Sequence, residues 1–412
     1  MDRYSEYKDS GVKWLGEIPS HWELRKMKYT FDERSQKGFP NEPLLAATQN
    51  HGVILKSQYE NRTVEATKSL DTLKLVEIGD FVISLRSFQG GLEYAYNRGI
   101  ISPAYTILTP THIKTSYFKH LSKSDIFISL LKSSVTGIRE GQNIDYNKLK
   151  ESLLPIPLEE EQKAMGCYLD AATSKIDKAI AMQQKMIDLL NERKQIIIQN
   201  AVTKGLDENV EMKDSGVEWI DKIPSSWSTN RVKYVLDFIS EKGIASKITN
   251  NIALENIVSH SGEYVKTDSD YEGFGVKFQK NDILFGKLRP YLAKVHLCQN
   301  DGIALGDIYV LRSHVGFDAK YLRYLLLSDK FIQYVDSSTY GTKMPRANWG
   351  FIGNIYIAYP QYDEQVKIGK YIDEQSLGID SAISNCQRQI TLLQERKQII
   401  INEVVTGKVK VS

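Results

Sequence analysis

Two long stretches of the chain carry apolar residues at intervals that alternate between four and three positions. The first begins at Ile176 and the second at Ile379, 203 residues later. Each keeps the spacing for about four heptads, which is typical of the a and d positions of a coiled-coil helix. The apolar seam positions are Ile176, Ile180, Ile187, Leu190, Ile197, Ile379, Ile383, Ile390, Leu393 and Ile400.

Start and stop signals flank both stretches. Glu159 and Asp363 follow prolines closely, and acidic residues there suit the positive end of a helix dipole. Gly205 and Gly407 follow the last seam positions and fit helix C-caps. The pattern therefore predicts two helices of roughly 40 residues, or ~60 Å at ~1.5 Å per residue.

The seam has two interpretations. Each stripe could be the ordinary core of its own domain, but two stripes of equal length in one chain favour packing on each other. The globular segment between them lets the second helix return antiparallel, which predicts an approximate two-fold axis. Lys194 and Lys397 interrupt the seam at equivalent places and either set its register or pair with Glu192 and Glu395.

Short runs rich in Val, Ile, Tyr and Phe, broken by Gly, Asn and Asp, fill residues 31–157 and 235–360. The runs at residues 80–85 and 282–287 indicate strands. Helical patches follow at about 116–133 and 318–335. The mixture predicts an α/β (α+β) fold in each segment, with the sheet better defined than its topology.

The segments that flank these inserts repeat within the chain. Residues 9–14 (DSGVKW) return as 214–219 (DSGVEW), and residues 192–198 are identical to 395–401. The inserts between them barely match. The repeat therefore predicts two similar structural frames, each carrying a different recognition domain, called a reader below. The repeated Trp14, Trp22, Trp219 and Trp227 either form a partner surface or staple the entry strand of each domain. The matching ends also predict that the two termini lie close together.

Composition narrows the class of protein. At 412 residues the chain is too long for one core, and 42% hydrophobic with 25% charged residues is ordinary for a soluble globular protein. It contains no apolar run long enough to span a bilayer. Its three cysteines form no metal or disulfide pattern, which fits the reducing cytoplasm. Because the net charge is only +2, a nucleic-acid binder of this composition must gather its positive charge into patches.

Polar and basic residues cluster on loops at matching places in both inserts. Arg, Gln and Asn form bidentate hydrogen bonds with base edges in the major groove, and Lys holds phosphates, so these loops are candidate DNA contacts. The alternative is that they are solvated loop residues. The candidates are Arg86, Ser87, Gln89, Arg139, Gln142 and Asn143 in the first insert, and Lys287, Arg289, Tyr291, Lys343, Arg346 and Asn348 in the second.

Motifs of catalysis are missing from the sequence. The chain has no phosphate-binding P-loop, and residues 102–105 (SPAY) are only a near miss to an amino-methyltransferase motif. Glu161-Gln162-Lys163 imitates the end of a nuclease motif but lies at a helix start. The seven histidines form no triad and no metal-binding spacing. The sequence therefore indicates a recognition protein without catalytic or metal-binding residues of its own.

The order of these motifs, duplicated, resembles the specificity subunits of type I restriction-modification systems over nearly the whole chain. Each motif alone is weak, and the specificity lies in their order. The matching segments are Trp14 to Trp22, Trp219 to Trp227, residues 79–82 (GDFV), 282–285 (DILF), 287–290 (KLRP), 157–162 (PLEEEQ), 360–365 (PQYDEQ) and 341–346 (GTKMPR).

The resemblance implies two target-recognition domains separated by a pair of long antiparallel helices. It places the domains at 1–157 and 206–360, and the helices at 158–205 and 361–412. Each domain is implied to read one half of a split, asymmetric DNA site. The helices are implied to bind two methyltransferase subunits, which motor-endonuclease subunits join. S-adenosylmethionine, ATP and Mg²⁺ then belong to those partners, the methylated base is adenine, and this chain needs no cofactor.

Two other functions remain open from the sequence. The chain could be a self-contained DNA methyltransferase or nuclease with an unrecognised site, or a coiled-coil adaptor that never touches DNA. The two inserts also differ where the family motif is expected. Gln142 and Asn143 stand in the first where Pro345 and Arg346 stand in the second, so contacts cannot be transferred between the halves.

The repeat predicts modular recognition. Replacing residues 31–157 with the insert of another family member should change one half of the DNA target and leave the other half intact, because the second insert is untouched. Methylome sequencing of a host that carries the chimera with its partner subunits measures both halves. A change in both halves, or lost binding in a folded chimera, contradicts the two-reader interpretation.

Overall fold

The structure, a computed structural model, describes residues 2–59, 70–136, 143–246, 250–267, 272–339 and 344–411. The chain forms two compact units. The first unit is Met1–Gln183 with Arg388–Ser412, and the second unit is Gln184–Gln387.

The first unit contains strands β1 to β14 and helices α1 to α4, and helix α5 begins in it. The strands are Tyr7–Asp9, Glu17–Pro19, Glu23–Lys26, Phe31–Arg34, Leu45–Thr48, Gly52–Leu55, Lys74–Val76, Phe81–Ile83, Glu93–Tyr94, Gly99–Ile101, Thr106–Pro110, Val135–Thr136, Asn143–Ile144 and Leu153–Ile156. The helices are Ser87–Gly90, Thr115–Leu121, Asp125–Ser133, Tyr146–Leu149 and Glu159–Lys204. Short 3-10 helices occur at Met27–Tyr29, Lys56–Gln58 and Leu70–Thr72.

The second unit contains strands β15 to β26 and helices α6 to α8, and helix α9 begins in it. The strands are Met212–Val217, Ile220–Pro224, Ser228–Arg231, Leu236–Ile239, Lys242–Ala245, Asn251–Ile252, Gly273–Phe278, Ile283–Gly286, Val295–Leu297, Gly302–Ala304, Ile308–Ser313 and Tyr356–Tyr359. The helices are Ala319–Leu327, Asp329–Ser337, Trp349–Ile352 and Tyr362–Val405. Short 3-10 helices occur at Val232–Tyr234, Leu254–Asn256 and Pro290–Leu292.

Each unit has a four-stranded antiparallel sheet with the same order of strands. The order is β4-β11-β8-β9 in the first unit and β18-β25-β22-β23 in the second. Phe81 lies in the core with helices α2 and α3, whereas its neighbour Val82 lies in a second core on the opposite face. Burial on both faces explains why strand β8 is apolar without alternation. A second four-stranded sheet, β19-β21-β24-β20, is specific to the second unit among the described residues.

The two long helices begin and end where the sequence predicts. Helix α5 spans Glu159–Lys204 and helix α9 spans Tyr362–Val405. Gly205 and Gly407 follow them with φ of 77° and 72°, the left-handed conformation of a helix-terminating glycine. A glutamine anchors the first turn of α5: the Gln162 side chain accepts from Lys114 N at 2.8 Å and donates to Pro157 O at 2.8 Å.

Each unit is completed by segments of both long helices. In the first unit, Val404 and Val405 near the end of α9 share a core with Met165 and Leu169 near the start of α5. In the second unit, Val202 of α5 shares a core with Ile368 and Ile372 of α9 in the same way. The boundary between the two compact units therefore lies within the two long helices.

The seam positions are the more buried face of the long helices. Ile176, Ile187 and Ile379 are buried, and the other seven seam residues are partly buried. The seam lysines pair with neither Glu192 nor Glu395, so that alternative is wrong. Lys397 Nζ lies 2.6 Å from Asp177 Oδ1 within the first unit, and Lys194 Nζ lies 2.8 Å from Asp380 Oδ1 within the second.

The repeated tryptophans staple the units, as one of the two interpretations predicts. Trp22 and Trp227 are each 1% exposed, and Trp219 is also buried. Trp227 Nε1 donates to Glu364 Oε1 at 3.1 Å, which ties the entry strands to the start of helix α9. The expected proximity of the termini is confirmed, because Lys410 N donates to Asp2 O at 2.9 Å.

A buried carboxylate precedes the central strand in both units. Asp80 accepts from Arg34 Nε at 2.7 Å, Thr109 Oγ1 at 2.8 Å and the backbone N of Glu77 at 2.8 Å. Asp282 in turn accepts from Arg312 Nε at 2.7 Å and Gln279 N at 2.7 Å. Arg34 lies on β4, whereas Arg312 lies on β25, so the two units supply the arginine from different strands.

We expect Asp80→Ala to lower the free energy of unfolding by about 3 kcal/mol, because it leaves Arg34 and two further donors without their acceptor. Urea unfolding of the full chain, followed through the transition of the first unit, measures this loss. Glu241→Ala is the control, since its ion pair with Lys277 is exposed and should leave the midpoint unchanged. An unchanged midpoint for Asp80→Ala contradicts the structural role of the pair.

Candidate nucleic-acid interface

Two loops far apart in sequence join in the second unit where strand β22 ends. Lys287 N donates to Asp307 O at 2.9 Å, and Ala347 N donates to Lys287 O at 2.8 Å. Leu288 forms an antiparallel bridge with Arg346, and Arg289 N donates to Pro345 O at 2.8 Å. These backbone bonds place Lys287, Arg289 and Arg346 on one surface, called the basic surface below.

One carboxylate lies among the cations of the basic surface. Asp307 Oδ2 is 2.9 Å from Arg346 Nη2, and Asp307 Oδ1 is 3.5 Å from Lys287 Nζ. The Arg346 side chain is 60% exposed, and Arg289 is exposed beside it. Asp307 therefore orients Arg346 but leaves the surface positive, as an anionic ligand requires.

Arg289 holds an uncommon backbone conformation on this surface. Its φ of 51° and ψ of 62° are left-handed, although it precedes Pro290, which favours an extended residue before it. Such a conformation costs about 1–3 kcal/mol and persists when surrounding bonds fix it. Here the bond to Pro345 and the 2.9 Å bond from Leu292 N to Arg289 O fix it, and exposed Tyr291 lies within the same short turn.

Aromatic side chains support the basic surface from beneath. Lys287 Nζ lies 5.5 Å from the centre of the Tyr309 ring, and Tyr309 Oη donates to Ala347 O at 3.0 Å. Burial raises the pKa of Tyr309, which keeps this hydroxyl protonated as a donor. Trp349 stacks on Phe238 with ring centres 5.5 Å apart. Asn348 caps the short helix α8, since its Oδ1 accepts from Gly350 N at 2.7 Å.

In the first unit, the corresponding position after strand β8 is a short helical turn, Ser87–Gly90. Arg86 and Gln89 are exposed on it. Gln49 Nε2 donates to Arg86 O and to Gln89 Oε1, each at 3.3 Å. Lys123 Nζ donates to Gly90 O at 2.8 Å and to Gln49 O at 3.2 Å, so one lysine joins the turn to the Gln49 loop.

A buried carboxylate lies beside this turn. Lys123 Nζ also contacts Glu93 Oε2 at 2.8 Å, and Glu93 is 1% exposed. Burial raises the pKa of Glu93 to about 6, and the nearby Lys123 opposes that rise. At neutral pH the pair is therefore charged and holds the lysine at the turn.

Ser87 does not reach the surface. It is fully buried, and its Oγ accepts from Ser84 N at 2.8 Å, so it stabilises the turn that presents its neighbours. Gly91 ends the turn with a φ of 82°, and a Cβ there would lie 2.0 Å from Ser122 O. A glycine is required at this close approach.

The structure brings the described candidate residues together in the second unit but leaves them on separate elements in the first. In the second, Lys287, Arg289, Tyr291, Arg346 and Asn348 lie on the two joined loops and the turns that follow them. In the first, Arg86 and Gln89 share one turn, while Asn143 is exposed on strand β13, a different element. Arg139, Gln142 and Lys343 lie outside the described residues.

Sequence reasoning missed the residues that organise both sites. Asp307, Tyr309 and Trp349 support the basic surface, and Gln49 and Lys123 support the first turn. Their contacts span 20 to 111 positions of sequence, which no short motif reveals. Asp307 offers a weak signal, because it is an acidic residue between a glycine and a strand.

The described residues hold no group of three His, Cys, Asp or Glu side chains that could share a metal ion. Within the same residues, none of the helices combines the length and the apolar character that crossing a membrane requires.

No family model matches the chain. The chain is 26% identical over 306 residues to the type I restriction enzyme MjaVIII specificity subunit of Methanocaldococcus jannaschii, which covers 69% of this chain and 68% of the relative. It is 21% identical over 370 residues to the type I restriction enzyme EcoDI specificity subunit of Escherichia coli, which covers 82% of this chain and 79% of the relative.

The fold is similar to that of a chain in a solved structure concerned with complex assembly and conformational transition of the type I R-M system. The match has a TM-score of 0.68 at 13% identity and covers 95% of this chain and 99% of that chain. It confirms the predicted mixture of helices and strands.

A bidentate contact between the exposed Arg346 guanidinium and a base predicts that Arg346→Ala weakens DNA binding by ~1–3 kcal/mol and relaxes base preference at one position. Equilibrium binding to duplexes that vary one position at a time measures both effects. A uniform loss across sequences, with a shallower salt dependence, assigns Arg346 to phosphate instead. Arg231→Ala is the matched control, since the Arg231 guanidinium contacts the Tyr356 ring and Asn354 and not Asp307.

Proposed function

We propose that this chain, as a specificity subunit of a type I restriction-modification system, reads a split and asymmetric DNA site with its two units. The observation that carries the proposal is the basic surface at the end of strand β22. It occupies the position in the second unit that the Arg86 turn occupies in the first, at the end of the equivalent strand β8. Equivalent strands thus present different polar groups. Two unlike readers on one repeated frame recognise two unlike half-sites.

Charge distribution supports DNA as the ligand. The whole chain carries a formal net charge of only +2, yet Lys287, Arg289 and Arg346 gather on one surface around the Asp307 carboxylate. A local positive patch attracts phosphate, and arginine at its centre matches the two acceptors of guanine in the major groove. In the first unit, Arg86 and Gln89 offer a guanidinium and an amide, which suit guanine and adenine respectively.

We further propose that the two long helices form an antiparallel coiled coil with approximate two-fold symmetry. The seam ion pairs support this arrangement. Asp177 and Asp380 are 203 positions apart, as are Lys194 and Lys397, and each aspartate pairs with the lysine of the other helix. A two-fold axis between the helices relates the two pairs in this way. The helix length then sets the spacing of the half-sites.

The helices also carry apolar residues that the units leave exposed. Leu189 and Ile196 are 50% and 52% exposed, and Leu392 and Ile399, 203 positions later, are 56% and 55% exposed. Their spacing of seven residues places each pair on one face of its helix, away from the seam. Exposed apolar faces of this kind mark partner surfaces. We propose that each pair, with the arginine between its members, docks one methyltransferase subunit.

Catalysis is assigned to those partners in this proposal. The methyltransferase subunits bind S-adenosylmethionine and transfer its methyl group to adenine. The motor-endonuclease subunits bind ATP and Mg²⁺. This chain contributes the target and the assembly surface, and it acts on DNA in the cytoplasm. The rival function is a self-contained methyltransferase or nuclease.

We expect Leu189→Asp with Ile196→Asp to remove one of the two methyltransferase subunits from the complex, and the same change at Leu392 and Ile399 to remove the other. Two aspartates replace the apolar contact area with carboxylates that must lose their water on docking, and pairing with the arginine between them does not restore the lost apolar contact. Native mass spectrometry of the reconstituted complex counts the subunits directly. All four changes together should abolish methyl transfer to DNA.

Asn191→Asp with Gln394→Asp is the matched control, since both residues are exposed on the same helices outside the proposed docking faces and lie 203 positions apart. Full occupancy in the four-residue variant contradicts the docking assignment. Methyl transfer by the purified chain alone, with DNA and labelled S-adenosylmethionine, supports the rival function.

A further inference from the structure

Two large apolar side chains stand exposed side by side on the second unit. Ile244 on strand β19 and Phe274 on strand β21 are direct partners in an antiparallel pairing, and they are 66% and 79% exposed. Cross-strand neighbours on one face contact each other, so the two side chains form one apolar ridge. Strand β19 is the edge strand of its sheet. An apolar residue on an edge strand invites association, and proteins normally place charge there.

The opposite face of strands β19 and β21 is covered by the Ile303 side chain of strand β24, which belongs to the same sheet. The next cross-strand pair is Gly243 with Gly275. A Cβ at either glycine would lie 2.4 Å from the side chain of Ile303 on strand β24. Because these two glycines have no side chain, the backbone of strands β19 and β21 lies directly on Ile303. The ridge is therefore held by a closely packed backbone, and Ile244 and Phe274 contribute little to the core.

The ridge lies next to the basic surface. A Cβ at Gly275 would be 3.0 Å from Leu305 Cδ2, and Leu305 is two residues before Asp307, which binds Arg346 and Lys287. Strand β19 follows strand β18 after two residues, and β18 pairs with β25 so that the chain runs toward the Asp307 end of β25. Strands β19 and β21 therefore extend from the end of the sheet that carries the proposed base contacts.

The shape and chemistry of the ridge fit the major groove. A two-stranded β-ribbon enters that groove, and a phenyl group there meets the 5-methyl group of thymine, the apolar feature of the base-pair edges. Lys242 lies two residues before Ile244 on strand β19 and is exposed on the same face as the ridge. Continuity with the basic surface favours DNA over an apolar protein partner.

We propose that Phe274, backed by Ile244, contacts a thymine methyl group in the half-site read by the second unit. The assignment rests on the proposed function and adds a specificity-determining contact to it. Recognition of this methyl group is apolar and close-range, so it complements the hydrogen bonds offered by Arg346 and Lys287. It also accounts for an exposed apolar pair that the fold itself does not require.

The test begins with selection of bound sequences from a randomised duplex library by the full chain. Each thymine of the enriched site is then replaced singly by deoxyuridine, which removes only the methyl group. We expect one replacement to weaken binding by about fourfold, the value of one buried methyl group. In Phe274→Ala that penalty should vanish, and the preference for thymine at the same position should relax.

Val315→Ala is the control, because Val315 is a fully exposed apolar residue of the same unit on a different loop, and it should leave the selected site unchanged. A thermal midpoint equal to that of the unmodified chain shows that Phe274→Ala is folded. If the unmodified chain enriches no sequence, the proposed function fails. If it enriches a site but no deoxyuridine penalty appears, or Phe274→Ala retains the penalty, only the thymine contact is overturned.

Discussion

The last turns of each long helix are buried in a core that the rest of the unit cannot close without them. In the first unit, Tyr117 Oη donates to Val405 O at 2.9 Å, and in the second unit Tyr321 Oη donates to Val202 O at 3.3 Å. Both tyrosines are fully buried, and burial raises their pKa, so each hydroxyl remains a donor to a helix-end carbonyl. A helix end buried without such a partner would leave its carbonyls unsatisfied.

This constraint explains which parts of the chain repeat. The tryptophans and the helix-capping glycines contribute to the packing between a helix end and a unit. Gly205, for example, packs against Trp227, and Gly407 packs against Trp22. The loops at the ends of strands β8 and β22 make none of these contacts, so their side chains are free to differ. One frame therefore accommodates two readers of different chemistry.

The two units share a buried aspartate at the start of the central strand but differ in the loop at its far end. A buried aspartate fixes the start of each central strand, at Asp80 and Asp282, and the loop at the far end of the strand carries the polar groups. In the first unit a four-residue turn held by Lys123 presents Arg86 and Gln89. In the second, backbone bonds to residues 345–347 present Lys287 and Arg289, and the neighbouring strand β21 carries exposed Phe274. The proposed asymmetry of the DNA site follows from these local differences.

Periodic and local features were determined by the sequence alone. Heptad spacing gave the seam, acidic starts and glycine ends gave the limits of the long helices, and apolar runs gave strands β8 and β22, because each depends on neighbours within a few turns or residues. Tertiary structure alone decided the pairing of Lys194 with Asp380, the burial of Ser87 and the different strands that supply Arg34 and Arg312. It also brought Ile244 and Phe274 together as exposed neighbours on paired strands. These outcomes depend on contacts between segments tens to hundreds of residues apart, and the pattern of any one segment carries no information about its distant partner.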